Sequence, residues 1–126
     1  MTILLPVKRL RGSQGSWDVE VTYADGSKEV LPTAHQLFWK VDQNGPYYQR
    51  GPADLSWEGF RQNAKFADHV AFLDAKKRVV LTTDDIDEAT GVWKRTGYVG
   101  VFDIAEVSLG ENGLFFRFVR RLPQPQ

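Results

Sequence analysis

Few residues in this chain have the type and spacing for chemistry. Asp74-Ala75-Lys76 follows the apolar run Val70-Ala71-Phe72-Leu73. A carboxylate is an oxygen ligand for Mg²⁺, and a lysine ammonium is a hydrogen-bond donor beside it. Asp54 and Asp68 precede the pair. His35 and His69 are the two histidines, and either can serve as a general base near neutral pH. Nothing in the sequence supplies a nucleophile with an orienting carboxylate beside either. Ser13, Ser16, Ser27, Ser56 and Ser108 form no nucleophile elbow, and neither a Walker loop nor G-x-G-x-x-G is present. Asp84, Asp85, Asp87 and Glu88 lack the register of a calcium loop; the first turn of a helix explains them better. No metal and no cofactor is expected.

Binding side chains are more plentiful. Lys8, Arg9 and Arg11 lie near the start, and Arg117, Arg120 and Arg121 near the end. If the terminal strands are neighbours, these cations share one edge and can meet a phosphate backbone. The bland alternative is a set of solvated charges guarding a sheet edge. Phe38, Trp39, Tyr47, Tyr48, Trp57 and Phe60 form a dense aromatic group. Strand alternation puts Phe38 and Trp39 on opposite faces, and likewise Tyr47 and Tyr48. Trp39 and one of the two tyrosines are therefore the expected exposed rings, with the rest in the core.

The elements that hold these residues are mostly strands. Thr2 to Leu10 reads as an edge strand interrupted by Pro6. Trp17, Val19, Val21 and Tyr23 alternate with polar residues up to Asp25-Gly26, a tight-turn pair, and Ser27 to Leu31 returns. Gln36 to Val41 is a strand, Asp42 to Pro46 a turn, and Tyr47 opens a return ended by Gly51-Pro52. Asp54 or Ser56 caps a helix to about Phe66. Val70–Leu73 and Arg78–Leu81 read as strands around the turn Asp74 to Lys77. Thr82 to Asp85 opens a second helix to about Trp93. Gly97 to Leu122 is a long closing hairpin, turning at Gly110-Glu111-Asn112-Gly113. Its last strand carries Phe115, Phe116, Phe118 and Val119, so both faces are apolar, and the Phe115–Val119 face needs a helix, a second sheet layer or another subunit to cover it.

The segment Trp17 to Leu31 resembles strand pairs in Tudor and other SH3-like barrels, and Gly97 to Val107 resembles a strand in PUA-like barrels. Asp74-Ala75-Lys76 is similar to the motif of a large nuclease superfamily, which implies Mg²⁺ held by Asp74, an attacking water steadied by Lys76 and a partner acid on a preceding strand, for which Asp54 and Asp68 are the options. Each likeness covers a small part of the chain, and the barrel likenesses carry no functional residues over.

The 126 residues suit one domain, residues 1–122, with 123–126 as a tail rich in proline and glutamine. Charged residues make up 25% and net charge is zero, which excludes a globally basic nucleic-acid binder. Cysteine is absent, which excludes disulfides, thiolate zinc sites and cysteine nucleophiles. No apolar run approaches the roughly 20 residues that span a bilayer, so a cytoplasmic chain without a membrane partner is expected. The fold expected is α+β and β-rich: a mostly antiparallel twisted sheet or small barrel with two short helices. The function expected is a non-catalytic binding module that recognises a protein or nucleic acid through a sheet face or edge. Its binding residues are Lys8, Arg9, Arg11, Trp39, Tyr47, Tyr48, Arg117, Arg120 and Arg121. The alternatives are a metal-dependent nuclease using Asp74 and Lys76, and a nucleic-acid-binding small barrel using the terminal basic residues. A homodimer that buries the Phe115 face is a further expectation.

Overall fold

The computed structural model describes residues 7–11, 17–54, 57–87, 89–90 and 93–123. Eight strands run in chain order: β1 Val7–Arg11, β2 Asp18–Tyr23, β3 Lys28–His35, β4 Trp39–Asp42, β5 Gly45–Arg50, β6 Arg78–Ile86, β7 Trp93–Gly110 and β8 Gly113–Arg121. A 3₁₀ turn, Gln36–Phe38, joins β3 to β4, and helices α1 Trp57–Gln62 and α2 Phe66–Lys76 lie between β5 and β6. The strands form one sheet in the order β1-β2-β3-β6-β7-β8-β5-β4. Every pairing is antiparallel except β3 with β6. A parallel pair needs a long crossover, and the stretch holding β4, β5 and both helices supplies it. The fold is thus the expected β-rich α+β sheet, and it stays open, with β1 and β4 at its edges.

The sheet curls strongly. Trp39 on β4 lies with its ring centroid 5.5 Å from Phe102 and 4.2 Å from Phe118. In a flat sheet β4 and β7 would stand about 14 Å apart, three strand spacings. The curl wraps one apolar cluster: Ala34, Phe38, Tyr48, Leu81, Ile104 and Phe116 are among its buried members, and Leu73 of α2 joins them. A second cluster, with Val19, Val21, Leu31 and Leu122, packs on the other face. Val79 and Phe102 belong to the first, while Val80 and Val101 belong to the second. The middles of β6 and β7 are therefore buried on both faces, which is why Val79-Val80-Leu81 reads as an unbroken apolar run.

The first hairpin and the closing hairpin both form. At the first, Tyr23 N–H donates to Ser27 O (2.8 Å), Gly26 takes φ 89°, and Asp25 Oδ1 accepts from the Ser27 amide at 2.9 Å. At the second, Gly110 pairs Gly113 across Glu111-Asn112. Gly113 has φ 101°, and a Cβ there would lie 2.1 Å from Arg50 O. A Cβ at Gly51 would lie 2.1 Å from Asn112 O. The tip of the β7–β8 hairpin and the end of β5 touch backbone to backbone.

Three sequence expectations are corrected. Val70–Leu73 is not a strand, and Asp74–Lys77 is not a hairpin turn; both belong to the end of α2. The helix buries Phe66, His69 and Leu73 at spacings of three and four, and closes at Lys77, φ 54°, whose N–H donates to Leu73 O (3.0 Å). Thr82–Asp85 does not begin a helix but continues β6, where Thr82 and Asp84 find partners across the sheet. The terminal strands β1 and β8 do not pair. β8 already has β7 and β5 on its two sides, and β1 pairs β2 at the far edge.

Candidate functional site

Register decides what each predicted binding residue can do. Tyr47 stands opposite Arg117, and Gln49 opposite Phe115, on the outer face of β5 and β8. The Tyr47 and Phe115 rings lie 5.7 Å apart, with the Arg117 guanidinium 5.3 Å from the first centroid and 5.5 Å from the second. Asp42 on β4 grips that guanidinium twice: Nη1 donates to Oδ1 at 2.9 Å and Nη2 to Oδ2 at 2.8 Å. The hydrogen bond with Asp42 raises the arginine's pKa, and the same bond holds the Asp42 carboxyl below the usual carboxylate range. Glu106 adds a longer contact at 3.8 Å. Val119 projects nearby, 64% exposed. Two of the predicted residues, Tyr47 and Arg117, are thus brought together on one uncovered patch.

The others are not. Tyr48 is buried and stacked on Phe116 with centroids 4.6 Å apart, and burial pushes its phenol up to about 12. A ligand at the surface cannot reach it. Trp39 enters the same interior, although Phe38 also faces it. Alternation fails there because Phe38 closes the 3₁₀ turn and Trp39 begins the next strand. Arg120 donates to Asp103 (3.2 Å), which also accepts from Arg78 Nε at 2.8 Å. Arg78 in turn reaches the Tyr23 hydroxyl at 3.1 Å. Arg121 donates to Val99 O at 2.6 Å. Lys8, Arg9 and Arg11 lie on β1, and four strands separate β1 from β8, so the six cations do not share an edge.

Asp74 and Lys76 turn to different partners. Two residues apart on a helix point about 200° apart. Asp74 pairs with Lys77, while Lys76 meets Glu29 at 3.4 Å. Asp54, a suggested partner acid, accepts the Gly51 amide at 2.7 Å instead. Among the described residues no three His, Cys, Asp or Glu side chains gather closely enough to hold a metal ion.

One constellation was missed. His35 Nδ1 lies 2.5 Å from Asp84 Oδ2, and the Thr82 hydroxyl donates to the same oxygen at 2.7 Å. The parallel register sets His35 opposite Thr82, and Asp84 follows two residues on, on the same face. The Asp84 side chain is 4% exposed and the His35 side chain 24%. Burial pushes the Asp84 carboxyl up, but hydrogen bonds from His35 and Thr82 outweigh it, and the carboxyl stays below its ordinary value. The pair can orient an imidazole. Thr82 is turned to the carboxylate, so it is not poised as a nucleophile for the imidazole. The only sequence signal was the alternation Thr82-x-Asp84, which also fits a helix cap.

Beside this pair, Arg50 is buried with its guanidinium 3.9 Å from the Phe60 centroid and 4.6 Å from that of Phe38. It also hydrogen-bonds Tyr48. Burial holds its pKa below the ordinary arginine value. His69 packs edge-on to Trp17 at 5.0 Å. Burial, then the nearby His35 and Arg50, push it down to about 4. These groups pin α1 and α2 to the sheet.

No protein-family model, curated protein or solved structure matches this chain. Among the described residues no helix is long and apolar enough to cross a membrane.

Proposed function

We propose that this chain is a non-catalytic protein-binding module whose contact surface is the outer face of β5 and β8. The observation that carries this reading is the patch of Tyr47, Phe115 and Arg117. Two rings and a guanidinium are held in fixed positions on a sheet face, while α2 packs on the inner face through Leu73. Rigid aromatics with an arginine are the composition of interface hot spots. A protein suits the patch better than a nucleic acid. Asp42 already pairs with Arg117, and Arg120 shares Asp103 with Arg78, so fewer unpaired cations are left there to meet a phosphate backbone.

The test is affinity capture with cross-linking, comparing the wild-type chain with Tyr47→Ala/Phe115→Ala. Circular dichroism checks that the variant is folded. A protein recovered in stoichiometric amount by the wild type and lost with the variant supports the reading. That protein is a second copy of the chain if sedimentation equilibrium shows a dimer that the variant abolishes. Tight oligonucleotide binding that collapses as salt rises, and disappears with Arg117→Ala, would overturn it.

A further inference from the structure

α2 carries Asp68, Ala71, Phe72 and Ala75 along one stripe, at spacings of three and four. The stripe faces the start of β2, and between them lies an open groove of about 560 Å³. That volume falls within the range of ligand pockets. Ala71 and Ala75 stand one turn apart and are short, which leaves the depression between Phe72 and Trp17. Trp17 is braced by Phe60, its ring stacked at 5.2 Å and 23°. His69 also lines the groove; its burial keeps it neutral at neutral pH, so it adds no positive charge.

Among the described residues the charges lining the groove are Asp18, Asp68 and Lys65, two negative against one positive. Asp18 and Asp68 are exposed at the rim of the groove, whereas the half-buried acids Glu29, Asp84 and Asp103 are engaged elsewhere: Glu29 meets Lys76 and Arg78, Asp84 meets His35, and Asp103 meets Arg78 and Arg120. Among the described residues the carboxylates of Asp18 and Asp68 have no ion pair. An indole wall beside two unpaired carboxylates complements a planar cation. A guanidinium stacks on aromatic rings and forks to a carboxylate, which an ammonium does less well.

We infer that this groove receives an arginine side chain presented by a partner protein. It is separate from the Tyr47–Phe115–Arg117 patch and does not rest on that reading. The probe is acetyl-Gly-Arg-Gly-amide, titrated into the full ¹⁵N-labelled chain, with the citrulline peptide as its uncharged counterpart. The Trp17 indole resonance is assigned from Trp17→Phe. Saturable shifts at Trp17, Asp68, Ala71 and Ala75 are expected. Citrulline should bind about tenfold more weakly, and so should the arginine peptide to Asp18→Asn/Asp68→Asn, the usual scale for losing a charge-assisted hydrogen bond. Ala71→Leu fills the groove without changing charge and should block the shifts too. No saturable shift at Trp17, an equal response to citrulline, or full binding by the Asn variant would each overturn the inference.

Discussion

Tyr47 and Tyr48 are neighbours in sequence and opposites in structure. Tyr48 is sealed in the curl of the sheet, stacked on Phe116, beside an arginine held between Phe38 and Phe60. Tyr47 lies on the outer face, tilted against Phe115, beside an arginine held by Asp42. Both faces of β5 therefore use the same parts: tyrosine, phenylalanine and arginine. What differs is how the cation is stabilised. Inside, ring faces and the Tyr48 hydroxyl replace its water. Outside, a carboxylate shares it with solvent, where such pairs contribute little. Residue type alone does not separate core from outer face here; strand parity does.

The two faces should respond very differently to truncation. Tyr48→Ala should destabilise by about 4 kcal/mol, the scale of emptying a buried aromatic site. Tyr47→Ala should cost about 1 kcal/mol or less. Urea denaturation measures both, and equal losses would erase the distinction. Arg50→Ala comes next, at about 3 kcal/mol, because it removes two buried cation–π contacts and leaves a void between two rings.

His69 sharpens the interior side through pH. The folded state keeps it neutral to about pH 4, whereas the unfolded chain takes up a proton near 6.5. Between those values the unfolded state binds more protons, so stability falls as pH drops from 6.5 towards 4 and the effect levels off below. The full loss is at most about 3 kcal/mol, and His69→Gln should flatten that window. An unchanged slope in the variant would assign the acid sensitivity elsewhere. Asp84 acts lower, since its depressed carboxyl gives up its contribution only as pH falls through its own folded value. The smallest effect belongs to the outer face. Arg117→Ala should leave the denaturation midpoint unchanged within error, yet let the Asp42 carboxyl rise towards its ordinary value, as an NMR titration would show.

The hairpins were legible because their signals are local. Alternation from Trp17 to Tyr23 and a glycine at 26 need no distant partner to be read. Val70-Ala71-Phe72-Leu73 was illegible because a short apolar run fits a buried strand as well as a helix; only contacts with the sheet show that Leu73 turns inward and Ala71 outward. Thr82 and Asp84 look like helix-capping residues until His35, 49 positions away, is set beside them by the parallel pairing. The patch was half legible. Tyr47 and Arg117 were singled out by type, but their meeting depends on β8 inserting between β7 and β5, and no local pattern encodes strand order.

The backbone contact between Gly51 and Gly113 bears on where this chain can be cut or lengthened. A hairpin tip such as Glu111-Asn112 is the usual place to splice a tag or open new termini. Here that tip is fastened: Asn112 O lies against Gly51 and also accepts from Gln49 Nε2 at 2.5 Å. The turn at Ala24 to Gly26 has open space around Gly26. A circular permutation or inserted sequence belongs there, and the same insertion at Glu111-Asn112 would prise β5 from β8 and take the Tyr47–Phe115 patch apart.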